Sequence, residues 1–475
     1  MLSATQLCLM KAYFIKEIDP QRRFDHAIRA LHQGPAKVLF TVDGLGFSLP
    51  FMIGRSGASN TLLAFRMPYK QALADDLIGM SASDKFADTN GRGAYTSVGF
   101  ALSLATTELM RGLRIILEND HRGTPCGVDL KDLYSVALVG AVQTDRERRS
   151  PDGWHIAIAR FSPNSGLIEK FTLSFDAEKK DFGVLKGEEL TDAYEAHRTQ
   201  QDLLASYLTI DALLYVIGGK EMQVGVSPHA ARELNCSDTV DANSAGVCKY
   251  VPTRLVPNIS ALDETCNAVM IKPNGETMPL RECGFSNSED YYIPVTAHPV
   301  AAHYFLALRA RKAGKNPVFV LSATHVTKPD VSLSIMAERA AQFIGVFPVV
   351  VTRNAPRFYE MVQLLRQKRT DGNHPSQITI AMGTDAAKLF FDGRFYGVGG
   401  IPPLSKVLKD FQNWHVTINI NTRPEDGKSE SELFNEVCML ARQLSAEELL
   451  TSSPALPAPL CDLSSTAVRK RLGIS

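Results

Sequence analysis

The chain of 475 residues has few cysteines, no excess charge of either sign and no long apolar run, and each shortage closes off a class of protein. No stretch of 18 consecutive apolar residues occurs, so no segment reads as a membrane span. Lys+Arg and Asp+Glu balance at 51 each, which leaves no basic field to draw nucleic acid or an anionic lipid surface. The stretch from Met1 to Lys16 carries apolar residues, but no small-residue cleavage site follows it and Glu17 and Asp19 come soon after, so no targeting peptide is expected. The 8 cysteines include no Cys-x-x-Cys pair and no histidine at zinc spacing. Reduced thiols and a cytoplasmic location are therefore expected. Cys236, Cys248, Cys266 and Cys283 read as buried or incidental thiols, because their spacing fits no zinc module. No metal site is expected from them.

What is present describes an ordinary globular protein, 45% hydrophobic and 21% charged, and too long for a single core. Lys37-Val-Leu-Phe-Thr-Val42 predicts a buried strand, with Gly44 and Gly46 turning the chain after it. Helical patterns follow at 58–66, 70–78 and 96–117. Strands are predicted at 133–142, 154–161 and 167–175, and a helix at 192–217. Three strands in succession imply an antiparallel portion. From Lys220 to about Asp290 the pattern loosens into a connector with one or two strands. The second half then alternates, with strands at 291–295, 317–322, 347–352, 377–382 and 414–420 separated by helical segments. Runs as continuously apolar as Pro317-Val-Phe-Val-Leu321 suit a parallel, doubly wound sheet, whose ligands sit at the carboxyl ends of its strands.

The most specific motif is near the end: Leu463-Ser464-Ser465-Thr466-Ala467-Val468-Arg469. Hydroxyls, free helix N–H groups and a guanidinium can converge there on one anion, although a plain N-capped helix has the same look. The segment resembles the Ile-Ser-Ser-Thr-x-x-Arg signature of the nucleotidylyltransferase superfamily, which includes the nicotinamide-mononucleotide adenylyltransferases. Further pieces in the same order strengthen the resemblance: Ser322 to Lys328-Pro329, Arg339 to Phe343, Gly383-Thr384-Asp385, and Asp392 to Tyr396. The family's His-x-Gly-His element is altered. His303 stands for its second histidine, Val300 occupies the first position, and His298 precedes Pro299 on the helix cap. The resemblance implies a Rossmann-like domain that binds a nucleoside triphosphate with Mg²⁺. Ser464, Ser465, Thr466 and Arg469 would hold the phosphates, and Lys328, Gly383 and Asp385 would meet base, ribose or acceptor. His303, with His298 and Arg469, would serve transfer.

In the first half, Gly57-Ala58-Ser59-Asn60, Pro68-Tyr69 and Glu195-x-His197-Arg198 resemble the CinA C-terminal (nicotinamide-nucleotide amidase-like) family. The family's nucleophile position falls on Val42 and its lysine position on Ala74, so amidase activity is not expected. Gly57, Ser59, Asn60 and Tyr69 remain a candidate phosphate site. A scaffold or homo-oligomer role is the plainer reading for this domain.

The expected organisation is an α/β chain with three parts. Residues 20–220 form a CinA-like domain with degenerate catalytic residues, 221–285 a connector, and 286–475 a nucleotidylyltransferase-like domain. The expected partner is a small-molecule nucleotide, with no nucleic acid and no membrane. The expected function is nucleotide binding with transfer to a small phosphorylated acceptor such as a pyridine mononucleotide. The alternative is a catalytically inactive nucleotide-binding or scaffold protein. Fusions of these two domain types resemble an uncharacterised eukaryotic group.

Overall fold

The computed structural model describes residues 28–29, 31–54, 57–68, 70–86, 94–124, 127–141, 153–162, 165–176, 186–218, 253–262, 266–284, 289–295, 301–325, 330–367, 377–422 and 428–454. The chain is α/β with two mixed sheets, one in each of two compact units, and the units divide near Leu255. The described residues 113–124 and 165–167 count with the second unit. No helix among the described residues is long and apolar enough to cross a membrane.

In the first unit β1 (Lys37–Asp43) leads through the short helix α1 (Leu49–Ile53) to β2 (Leu62–Arg66). Helices α2 (Gln71–Ile78), α3 (Ala82–Phe86) and α4 (Val98–His121) follow. Strands β3 (Leu133–Ala141), β4 (Gly153–Phe161) and β5 (Ile168–Asp176) come next, then α5 (Gly187–Gly218) and β6 (Thr253–Arg254). The sheet order is β2-β1-β3-β4-β5-β6, parallel among the first three strands and antiparallel beyond β3. Alternation along the strands sorts side chains by face. Val38, Phe40 and Val42 join Val136, Leu138, Trp154 and Ile156 in a core closed by Leu203, Tyr207 and Leu208 of α5. The other face is studded with small residues, Ser135, Ala137, Ala157 and Ala159. It admits α4 so closely that a Cβ on Gly112 would lie 2.6 Å from Leu39 Cδ1.

The helical pattern at 58–66 does not hold. Ala58–Asn60 makes one 3₁₀ turn, and Leu62–Arg66 is the edge strand β2, paired parallel with β1. A short apolar run fits either period, and the open edge of β1 supplies the ladder partners that decide it.

The second unit contains β7 (Ala268–Ile271), β8 (Thr277–Pro279), β9 (Asp290–Val295), α6 (Ala301–Lys312), β10 (Asn316–Ser322) and α7 (Leu333–Ala341). After these come β11 (Val349–Thr352), α8 (Phe358–Leu365), β12 (Ile378–Gly383), α9 (Thr384–Phe390) and α10 (Leu404–Asn413). The chain then forms β13 (Val416–Asn421), α11 (Glu430–Gln443) and β14 (Leu450–Ser452). The sheet order is β14-β13-β12-β9-β10-β11-β7-β8. Six strands from β14 to β11 run parallel, and the β11–β7 and β7–β8 pairings are antiparallel. One face packs Tyr292, Val320, Ile380 and Ile418 against α8, α9, α10 and α11. On the opposite face Phe319 stacks on Phe343, meets Phe347 edge-on and packs against the tilted ring of Tyr304 of α6. Helices thus cover both faces. Strand order reverses between β9 and β12, where the chain winds outward in both directions. Residues 253–254, 268–271 and 277–279, which read as connector, supply outer strands to the two sheets.

Candidate functional site

Two places in the fold carry polar groups in arrangements that packing alone does not require. The first lies after β1. Gly44 (φ 77) and Gly46 (φ 90) take left-handed conformations. At Gly44 a Cβ would fall 2.0 Å from the Gly140 carbonyl oxygen, so only glycine fits. The turn aims three successive N–H groups at one point. The Asp202 carboxylate of α5 fills it, accepting from Gly46 N at 2.6 Å, Phe47 N at 2.9 Å and Ser48 N at 2.8 Å. Such a run of N–H groups is an anion nest. Here the chain's own carboxylate occupies it, and Arg198, one turn earlier on α5, lies 5.4 Å over the Phe47 ring.

Beside the nest, burial pushes the Asp43 carboxyl up to about 7, an effect the Gly44 N–H partly offsets. A carboxyl whose folded pKa is raised stabilises the fold fully only below its unfolded value and loses that contribution as pH climbs through its folded one. The first unit should therefore lose roughly 2–3 kcal/mol between about pH 4 and pH 7, with partial exposure already discounted. Asp43→Asn should flatten that slope and raise the unfolding midpoint at pH 8. Parallel pH profiles for the two proteins in denaturant titrations would contradict this.

Val42, at the amidase nucleophile position, is a buried strand residue with its side chain in the core, and Ala74 is buried on α2. Gly57 (φ 94), Ser59 and Asn60 form the 3₁₀ turn before β2. The Asn60 and Thr61 N–H groups donate back to Gly57 and Ala58 carbonyls. Tyr69 lies outside the described residues.

The second place is at the carboxyl ends of β9, β12 and β13. His303 is the third residue of α6, in the first turn of the helix that follows β9. Gly383 ends β12, and an ideal Cβ on it would meet nothing within 4 Å. Asp385 is exposed in the first turn of α9. A buried polar chain crosses the neighbouring strands. Tyr291 OH donates to Asn419 Oδ1 at 2.8 Å, Ser453 Oγ donates to the same oxygen at 2.5 Å, and Asn419 Nδ2 donates to Thr451 Oγ1 at 3.0 Å. Burial pushes the Tyr291 phenol upward, and hydrogen bonds with Asn421 and Ser453 pull against it. Asn421 Oδ1, two residues beyond Asn419 along β13, and separately Thr384 Oγ1 at the start of α9 are buried with no hydrogen-bond partner.

The structure brings Gly383, Asp385 and His303 to the carboxyl side of one parallel sheet. His298, Lys328, Ser464, Ser465, Thr466 and Arg469 lie outside the described residues. Sequence reasoning missed Asp202 and the amide pair. A signal for the pair was there: Asn419 and Asn421 alternate with Ile418 and Ile420 in a buried strand, which places two amides on one face. Among the described cysteines, Cys266 and Cys283 are outside disulfides and hydrogen-bond nearby carbonyls. No cluster of three metal-ligating side chains occurs among the described residues.

No family profile matches the chain, and no curated protein does. Over part of its length it is similar to solved structures of the CinA superfamily. The competence/damage inducible protein CihA from Agrobacterium tumefaciens is 13% identical, with 46% of this chain and 98% of that one covered, at a TM-score of 0.27. A competence-damaged protein (CinA) superfamily protein from Escherichia coli is 11% identical, with 41% and 94% covered, at a TM-score of 0.25. One from Klebsiella pneumoniae is 13% identical, with 41% and 98% covered, at 0.24. Likeness at this level transfers no activity.

Proposed function

We propose that the second unit is a Rossmann-like nucleotide-binding domain of the nucleotidylyltransferase kind. It takes a nucleoside triphosphate at the carboxyl ends of β9 and β12 and serves transfer to a small phosphorylated acceptor such as a pyridine mononucleotide. The observation that carries this reading is the reversal of strand order between β9 and β12, with unpartnered buried polar atoms at the carboxyl end beside it. Ligands of open parallel sheets sit at such a point. In-line transfer builds negative charge on phosphate oxygens, and the useful protein groups are positioned donors. His303 on the first turn of α6 and the terminal Ser464-Ser465-Thr466-x-x-Arg469 motif supply donors of that kind. Mg²⁺ would arrive with the triphosphate and be held chiefly by phosphate oxygens and water, since no cage of ligating side chains stands among the described residues.

A catalytically inactive nucleotide binder is the second reading, favoured by Val300 at the position where the resembled family carries its first histidine. Both readings need the terminal motif. Arg469→Ala should weaken triphosphate binding by about tenfold to a hundredfold, the worth of a charged bidentate contact, and change monophosphate binding little. Calorimetry with ATP, CTP, NMN and NAD reads this directly. Equal affinity of wild type and variant for every triphosphate would reduce the motif to a helix cap.

A further inference from the structure

The buried amide pair on β13 has a polarity that its own hydrogen bonds determine. Asn421 Nδ2 donates to the Asn419 backbone oxygen at 3.1 Å and to Asn419 Oδ1 at 3.4 Å. A flipped amide would set its oxygen against those two oxygens, so the nitrogen stays turned toward Asn419 and Oδ1 is the free end. Asn421 is only 9% exposed, and that oxygen has no donor. An acceptor left unmet in such a place costs about 1–3 kcal/mol, which a ligand N–H can recover. The neighbouring strand leaves space on the same face. Gly383 is the register partner of Asn421, so the two positions share a sheet face, and the space where a Gly383 side chain would stand is open.

Building on the nucleotide-binding reading above, we propose that Asn421 Oδ1 is a specificity acceptor for a ring-borne NH₂ group seated over Gly383. The group is either the exocyclic amine of an adenine or cytosine or the carboxamide of a pyridine nucleotide. An oxo analogue sets lone pairs against Oδ1, and a carboxylate adds a negative charge to that repulsion. Asn421 therefore discriminates by chemistry as well as by shape.

Calorimetry on the full chain tests this with three pairs: ATP against ITP, CTP against UTP, and NMN against nicotinic acid mononucleotide. In at least one pair the amino or amide member should bind about tenfold tighter, as expected for one buried hydrogen bond gained against one repulsion. The pair that discriminates identifies the source of the NH₂ group. Asn421→Ala should bring that ratio to within about twofold. Gly383 has an ordinary φ of −74, so Gly383→Val should fold normally and weaken both members of the pair by filling the space. Ratios near one in every wild-type pair, or a ratio that survives Asn421→Ala, would overturn the assignment while leaving nucleotide binding intact. If none of the six nucleotides binds, the parent reading and this assignment fall together.

Discussion

Asp202→Ala is expected to cost the first unit about 3–4 kcal/mol, because a buried carboxylate that accepts three N–H bonds is lost. The carboxylate accepts three backbone N–H bonds from a loop whose two left-handed glycines leave those groups no local acceptor. Alanine strands the Gly46 N–H in a buried setting and leaves the Phe47 and Ser48 N–H groups to whatever water reaches them. Asp202→Asn keeps the shape but offers one oxygen in place of two, so an intermediate loss is expected. Denaturant midpoints and amide hydrogen exchange at Gly46–Ser48 read the effect. An unchanged midpoint together with unchanged protection would show that the nest holds itself without an anion.

His303→Ala should lower nucleotidyl-transfer turnover by about 10²–10³ while changing triphosphate affinity far less. The histidine stands on the first turn of α6, the helix that follows the first strand of the parallel set, and α6 packs through Tyr304 on the sheet face that carries Asn419 and Asn421. A donor there acts mainly as charge builds on phosphate oxygens, which is why its loss should appear in kcat rather than in Kd. Pyrophosphate release from ATP with NMN as acceptor is the assay. Turnover that survives the substitution unchanged would exclude His303 from the chemistry. Absence of turnover in wild type, with nucleotide binding retained, would establish the inactive binder.

Much of the architecture was legible because it is written locally. Continuous apolar runs such as Val318-Phe-Val-Leu321 and the period of the intervening helices placed every parallel strand from β9 to β13 within a few residues. Gly44 and Gly46 marked the turn after β1 for the same reason, since their residue type already permits the left-handed backbone they adopt. The failures share a physical origin. Leu62–Arg66 was ambiguous alone and became a strand because β1 had a free edge. Residues 268–271 looked like connector because four apolar residues between polar ones carry no period; β11 made them a strand.

The candidate sites divide along the same line. The sequence by itself determined which residue types end each strand: a glycine after β12, amides along β13, a histidine opening α6, hydroxyls and an arginine near the terminus. Only the tertiary structure decided their partners. Gly46 and Asp202 are 156 residues apart, and nothing local says that an α5 carboxylate will fill a nest after β1. Nor does local pattern reveal that Asn421 turns its nitrogen inward and leaves its oxygen unmet beside Gly383. Periodicity sets the kind of element and the face a side chain occupies, whereas a buried hydrogen bond depends on which groups share the same few ångströms once the chain has packed.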